Sequence, residues 1–377
     1  LKILQISSAQ SLGGGERHLA DLANGLARNG HDVYVAVRPK STLVAQLNDV
    51  PRKNITTLPL RNSLDATSAR ALSKFVREHQ IEIVQAHMAR DYPLAAYAAR
   101  LNPSSRLIIT RHVLFPLGRL HRITLAKAAR VIAVSQAVAA QLTAERLVPS
   151  EKISVVLNGI DTARFQEARQ KFSREEFLAD WKLPAECLPP NDCLLIGTVG
   201  ELTPLKGQEE FLRAAVRILE QHQNAYFVIA GIDHSRGKEN SVRLERLIQE
   251  LQLVERIRLV GWLEDLAQLY CALDVFVSAS QTESFGLAIA EAMASGTAVV
   301  ATETEGAREL IQSGETGLLV PIGDVDKLAA GISTLLQNKD ERARLGIAAQ
   351  QTAVANFGVK RMIAETEEIF RVEIQQG

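Results

Sequence analysis

The sequence predicts an α/β protein built from two doubly wound, parallel-sheet domains, and three observations carry this. At 377 residues the chain is too long for one compact core and suits two domains of common size. Short β-branched apolar runs alternate with amphipathic stretches of helical period, which calls for a parallel sheet covered on both faces. The alternation breaks once, in a polar stretch holding Pro184, Pro189 and Pro190, and then restarts.

Taken in order, Lys2–Ile6 reads as a buried strand, and Leu19, Leu22 and Leu26 then recur at helical spacing. Val33–Val37 is β-branched again. A helix near Asp65–His79 precedes a strand at Ile81–Gln85, and a helix near Tyr92–Leu101 precedes one at Leu107–Thr110. The helix Ile123–Ala129 leads to Val131–Val134, and Ile153–Leu157 ends at the turn signal Asn158-Gly159. The second series has strands at Leu194–Val199, Tyr226–Ala230, Ile257–Val260, Val275–Val277, Ala298–Ala301 and Leu318–Val320. The expected domains are residues 1–165, a linker region with a local helix at 166–192, and residues 193–356. Residues 357–377 are expected as a final helix returning to the first domain. Two such sheets are expected to face each other across a cleft, with ligands at the carboxyl ends of the strands.

Composition narrows the class. Hydrophobic residues make up 46% and charged residues 23%, as in an ordinary soluble protein. No apolar run approaches the ~20 residues of a membrane-spanning helix. Leu1–Ile6 lacks the basic leader and long apolar stretch of a signal peptide, so a cytoplasmic setting is expected. Cys187, Cys193 and Cys271 have no metal-site spacing. The net charge of zero hides a split: residues 1–165 carry 22 Lys and Arg against 11 Asp and Glu, and the remainder reverses the sign. Between Asp91 and Glu145 there is no carboxylate, while Arg100, Arg106, Arg111, Arg119, Arg122, Lys127 and Arg130 are cationic.

The sharpest chemical signal is Glu283-Ser-Phe-Gly-Leu-Ala-Ile-Ala-Glu291, which follows a strand and reads as helix from Phe285 onward. Amides of Phe285, Gly286 and Leu287 at a helix start form an anion site favoured by the helix dipole. A carboxylate on each side of a bound diphosphate suits the hydroxyls of a sugar nucleotide. Gly13-Gly14-Gly15-Glu16 opens the first helix, where glycines let backbone amides approach a ligand. It is neither Gly-x-Gly-x-x-Gly nor a P-loop, which argues against a nicotinamide dehydrogenase. Lys206, between the first strand and helix of the second series, is placed to neutralise a diphosphate. Asp324-Val325-Asp326 spells an Asp-x-Asp metal pattern but opens a helix, so Asp324 is expected to cap it.

These features, in order, resemble the family 4 glycosyltransferases, which are retaining enzymes of the two-Rossmann-domain GT-B fold. The likeness runs through Gly13–Glu16, the Gly-His-Asp-Val of Gly30–Val33, and Val155–Asp161 with Phe165. It continues through Val199–Gly207, the Glu283/Glu291 pair and Gly306–Val320. The resemblance implies roles. Glu291 would hold the ribose hydroxyls and Glu283 those of the donor sugar. Lys206 with the amides of Gly286 and Leu287 would bind the diphosphate, Gly14 would close over it, and His87 would touch the sugar near the reacting carbon. Two positions depart from the family pattern: Glu201 stands where an Arg is usual, with Arg111 and Arg308 as candidate substitutes, and Glu305 where a glycine is common.

The expected activity is hexosyl transfer from a UDP- or GDP-sugar to a glycan, lipid-linked or small-molecule acceptor. No metal or other cofactor is expected, and no nucleic-acid partner. A sugar-nucleotide epimerase of the same fold and a non-catalytic sugar-binding protein are the alternatives. The segment Arg111–Arg122 mixes cations with Val113, Leu114, Phe115, Leu117 and Leu120, which would suit an anionic acceptor or peripheral contact with an anionic membrane.

Overall fold

A computed structural model of the chain describes residues 1–180, 193–263 and 265–376. It divides into two compact units, Leu1–Gly159 with Val359–Gly377, and Ile160–Gly358. In unit 1 the elements are β1 (Lys2–Ser7), α1 (Gly14–Arg28), β2 (Asp32–Val37), β3 (Ile55–Thr57), α2 (Ala66–His79) and β4 (Ile83–Ala86). They continue as α3 (Tyr92–Arg100), β5 (Arg106–Arg111), α4 (Arg119–Ala126), β6 (Arg130–Ala133), α5 (Gln136–Ala144) and β7 (Ile153–Val155). Its sheet has the order β3-β2-β1-β4-β5-β6-β7, with every paired neighbour parallel.

Both faces of this sheet are covered, as its continuous apolar strands require. Leu4, Ile6, Val84, Ala86, Leu107 and Ile109 pack with Leu72 and Val76 of α2 and Ala95 of α3. Residues of the other parity, Ile3, Val33, Val35, Ile83 and Ile108, pack with Leu19, Leu22 and Leu26 of α1. That second face is completed by Met362, Ile363 and Phe370 from the end of the chain.

Unit 2 holds α6 (Thr162–Lys171), α7 (Arg174–Asp180), β8 (Leu194–Val199), α8 (Gln208–Leu219), β9 (Ala225–Ala230), α9 (Glu239–Glu250), β10 (Ile257–Leu259) and α10 (Leu266–Ala272). It continues through β11 (Val275–Ser278), α11 (Leu287–Ala294), β12 (Ala298–Thr302), α12 (Glu305–Leu310), β13 (Leu318–Val320), α13 (Val325–Gln337) and α14 (Lys339–Asn356). The final helix, α15 (Val359–Gln375), belongs to unit 1. The second sheet is also parallel, in the order β10-β9-β8-β11-β12-β13. In both sheets the order reverses beside the first strand of its unit, at β1/β4 and β8/β11, the place where ligands of such sheets bind.

The unit boundaries correct the expected ones. Residues 160–180, read as the tail of the first domain and the start of a linker, belong to unit 2. Phe165 and Phe177 are buried, and the Phe165 ring lies 6.0 Å from that of Tyr270 on α10. Arg174 on α7 donates to Asp274 at 2.9 Å. The polar surface of α6 and α7 hid this apolar anchoring. The rest of the expected linker, 181–192, lies outside the described residues. Phe357 and Gly358, assigned to the returning helix, also belong to unit 2.

Candidate active site

In unit 2 the loops leaving β8 and β11 bring Lys206 and Glu283 together. Lys206 Nζ donates to Glu283 Oε1 at 2.6 Å, and Ser280 Oγ donates to the same oxygen at 2.7 Å. The Ser280 carbonyl is in turn held by Thr302 Oγ1 at 2.5 Å. Gly207, directly after Lys206, has φ +67, and a Cβ there would stand 1.9 Å from the carbonyl oxygen of Ala279. Only glycine allows this approach of the two loops. Gly306 plays a similar part: its amide donates to the Glu283 carbonyl at 3.0 Å, and a Cβ would meet the Phe285 and Glu283 carbonyl oxygens at 2.7 and 2.8 Å.

Helix α11 begins at Leu287, two residues later than the sequence suggested. Gly286 is its N-cap with φ +99, a conformation no helical residue adopts, and Phe285 is buried with its ring edge-on to Phe357 at 5.8 Å. The first-turn amides from Leu287 onward have no intrahelical partners, and the dipole favours an anion beside them. Inside the helix Glu291 is 5% exposed and accepts a hydrogen bond from Tyr270 Oη at 2.8 Å. Unit 2 thus assembles a cation, a helix N-terminus and two oriented carboxylates.

Three other expectations are placed by unit 2. Asp324 caps α13, its Oδ1 accepting from the Lys327 amide at 2.9 Å, and Asp326 pairs with Arg217 at 3.1 Å. The Glu201 side chain is exposed, and its carbonyl accepts from Gln208 Nε2 at 2.9 Å. Arg308 is engaged with Glu303 at 2.9 Å. Glu305 is the exposed first residue of α12.

In unit 1 Gly13 is the N-cap of α1 and its amide donates to Glu16 Oε2 at 3.1 Å, so Glu16 folds back on its own loop. Gly14 is the first helical residue. His87 follows β4 and is 4% exposed. Its Nε2 lies 2.6 Å from Gln5 Oε1, and its Nδ1 lies 3.1 Å from His112 Nε2. His18 on α1 joins them: its Nδ1 is 2.8 Å from Asn158 Oδ1, and its ring centroid is 4.7 Å from that of His112. Burial holds all three imidazoles below their ordinary pKa, His18 down to about 4. Asp91, at the start of α3, accepts from the Ser8 amide at 2.7 Å, and burial raises its carboxyl to about 6.

The Arg111–Arg122 segment divides. Arg111 is 5% exposed and donates to the Phe115 carbonyl, so it is not a surface cation. Leu114 and Leu117 pack against the unit 1 core, whereas Val113 and Phe115 are exposed, with Arg122, Ile123 and Lys127. Among the described residues no helix is long and apolar enough to cross a membrane.

Two parallel sheets of reversed order, each with its polar residues at the reversal point, define a protein of the GT-B fold. Solved structures bear this out. A glycosyltransferase from Rickettsia africae superposes with a TM-score of 0.88 at 24% identity, covering 100% of this chain and 99% of that one. Anabaena HepE in complex with UDP-glucose gives 0.85 at 22%, covering 98% and 99%. The family model "Glycosyltransferase Family 4" matches residues 12–164, and "Glycosyl transferases group 1" matches residues 180–352. The chain belongs to the family 4, group 1 glycosyltransferases. It is 31% identical over 168 residues to the lipopolysaccharide core biosynthesis glycosyltransferase LpsE of Rhizobium meliloti, spanning 45% of this chain and 47% of LpsE. The chain likewise spans about half the length of the D-inositol 3-phosphate glycosyltransferases it matches.

Proposed function

We propose that the chain is a retaining hexosyltransferase that takes its sugar from a nucleoside diphosphate carrier, UDP being favoured, and needs no metal. The observation that carries this reading is the Lys206–Glu283 pair beside the N-terminus of α11. An ammonium group and a row of amides converge where a diphosphate would acquire charge as it leaves. Lys206 keeps N–H donors beyond the one given to Glu283. Glu283 and the Tyr270-held Glu291 supply acceptors for sugar and ribose hydroxyls. The UDP-glucose complex of Anabaena HepE supports the donor class.

In this mechanism the bond from the anomeric carbon to the phosphate oxygen breaks as that carbon becomes oxocarbenium-like. The acceptor oxygen bonds on the same face, and the departing phosphate oxygen takes its proton. On this reading, which follows the family likeness, Glu283 orients the sugar and is not a nucleophile; Lys206 and Ser280 hold its carboxylate in place through Oε1. The acceptor proposed is anionic or lipid-linked, supported by the basic residues 1–165 and by the lipopolysaccharide-core relative. The exposed Arg122 and Lys127, with the exposed apolar Phe115 and Ile123 of the same stretch of chain, would bring the protein onto an anionic leaflet.

A thermal-shift screen of UDP- and GDP-sugars tests the donor, since ligand at 100 times its Kd adds about 2.7 kcal/mol. Transfer should survive EDTA; activity lost with EDTA and restored by Mn²⁺ or Mg²⁺ would refute the metal-free mechanism. Co-sedimentation with vesicles rich in anionic lipid, weakened by salt and by Arg122→Glu/Lys127→Glu, tests the membrane contact. Equal, negligible binding to neutral and anionic vesicles would point to a soluble acceptor.

A further inference from the structure

Three adjacent strands of unit 1 carry fully buried polar residues on the same face of the sheet: Gln5 on β1, Gln85 on β4 and Thr110 on β5, all 0% exposed. Gln5 and Gln85 are directly paired in the parallel register. Their parity is that of Ile3, Ile83 and Ile108, so they lie under α1, as do His87 and His112 two residues beyond Gln85 and Thr110. Amides in the middle of a buried parallel sheet cost free energy unless every group is matched, and aliphatic residues would pack there without that demand.

Here each group is matched in one direction. Gln85 Nε2 donates to Thr110 Oγ1 at 2.7 Å, and Gln5 Nε2 donates to Gln85 Oε1 at 2.8 Å. Gln5 Oε1 is therefore an acceptor, and His87 Nε2, 2.6 Å away, must carry the hydrogen. A neutral His87 then has a bare lone pair on Nδ1, which takes a hydrogen from His112 Nε2 at 3.1 Å. Burial keeps both rings neutral. His112 Nδ1 is left with a lone pair, and this atom is buried with no partner.

We propose that Thr110, Gln85, Gln5, His87 and His112 form a directional hydrogen-bond rail that fixes both imidazoles as Nε2–H tautomers and presents His112 Nδ1 as the acceptor for a substrate hydroxyl. His87, the histidine singled out by the family pattern, has both ring nitrogens engaged and acts as the middle of the rail. Gln5 and Gln85 are positioning residues. The tautomers stand on the hydrogen bonds between rings that burial keeps neutral; the use of His112 to hold a hydroxyl rests on the glycosyl-transfer reading.

The test is long-range ¹H–¹⁵N correlation on ¹⁵N-histidine-labelled protein, with His87→Asn and His112→Asn assigning the two rings. The expected spectrum shows both rings as Nε2–H and unchanged from pH 6 to 8. An Nδ1–H tautomer on either ring, or an imidazolium, overturns the rail, because the run of donors from His112 to Thr110 would then be broken or reversed. Gln5→Leu removes the acceptor from His87 and should give mixed tautomers and a roughly tenfold or greater loss of kcat/KM. If this variant does not fold, the wild-type spectrum still decides.

For the second half, UDP-glucose, UDP-galactose, UDP-N-acetylglucosamine and GDP-mannose are added in turn. Binding is read separately by thermal shift. A bound sugar nucleotide, alone or with acceptor, should move the His112 Nδ1 resonance in the direction of a newly accepted hydrogen bond. Binding and turnover without that movement would remove His112 from substrate contact. No binding by any nucleotide sugar strikes the transfer reading itself, while the tautomers remain readable.

Discussion

Glu283 and Glu291 are held by different neighbours, and the difference separates their expected effects. Glu283 shares Oε1 between Lys206 and Ser280 in a half-open loop, while Glu291 is buried in α11 against the Tyr270 hydroxyl. Glu283→Ala should lower kcat with little change in nucleotide affinity; a kcat within twofold of wild type would remove it from the reaction. Glu291→Ala should chiefly weaken nucleotide binding. Tyr270→Phe deletes one hydrogen bond worth about 1 kcal/mol, so the nucleotide Kd should rise about fivefold with kcat preserved. Calorimetric titration with UDP and steady-state kcat on the three variants check these effects.

Among the elements, α12 does more for the site than its six residues suggest. Its Gly306 lies so close to the loop after β11 that the added methyl of Gly306→Ala meets two carbonyl oxygens. Backbone cannot rotate aside as a side chain can, so the loop carrying Glu283 must shift. The variant should lose about 1–3 kcal/mol of stability in urea melts and more than tenfold in kcat. Unchanged activity would show that the loop tolerates displacement. Such contacts were not legible in the sequence, because Gly306, Ser280 and Tyr270 act through residues that only the folded sheet brings near.

What was legible was periodicity. Long β-branched runs such as Leu194–Val199 gave their strands directly, and Lys206, Glu283 and Glu291 stood out as charges at strand ends or on a helix. Ile55-Thr56-Thr57 is too short and polar to signal edge strand β3, and Gln136–Ala144, rich in alanine, offers little contrast between its faces. β4 starts two residues later than read because Ile81 still closes α2: its amide bonds the Val76 carbonyl at 2.9 Å after Gln80 turns left-handed at φ 54. Gln5 and Gln85 were visible as polar residues in apolar runs, but their pairing needs the strand register.

For the molecule as a whole, two kinds of buried group set opposite pH trends. His18, His87 and His112 are neutral in the fold but take up protons when unfolded, near the ordinary value of 6.5. The unfolded state then binds more protons, so stability is lost as pH falls below that value. Asp91, raised to about 6, holds its proton longer in the fold, so its contribution is lost as pH rises through 4 to 6. The three histidines outnumber Asp91 and Glu16, whose carboxyl burial also raises, so Tm should fall between pH 6.5 and 4.5. Asp91→Asn keeps an acceptor for the Ser8 amide, and its stability relative to wild type should grow from pH 4 to 7. A constant difference across that range would mean that Asp91 does not titrate as described.

The return of α15 to the first sheet has a consequence for biogenesis. Unit 2 is one uninterrupted stretch of chain, whereas unit 1 is discontinuous, its α1 face finished by Met362, Ile363 and Phe370. On the ribosome the first 159 residues emerge with that face only partly covered by α1, and they wait through the synthesis of the next 199 for the helix that seals it. At 5–20 residues per second this interval lasts roughly ten to forty seconds, long beside the folding of a small domain. A nascent chain at that stage presents an apolar surface suited to a holding chaperone. Residues 160–358 made alone should melt cooperatively, while residues 1–159 alone should bind a hydrophobic dye until a peptide of residues 359–377 is supplied. Dye-free, cooperative melting of 1–159 by itself would show that the late helix is dispensable.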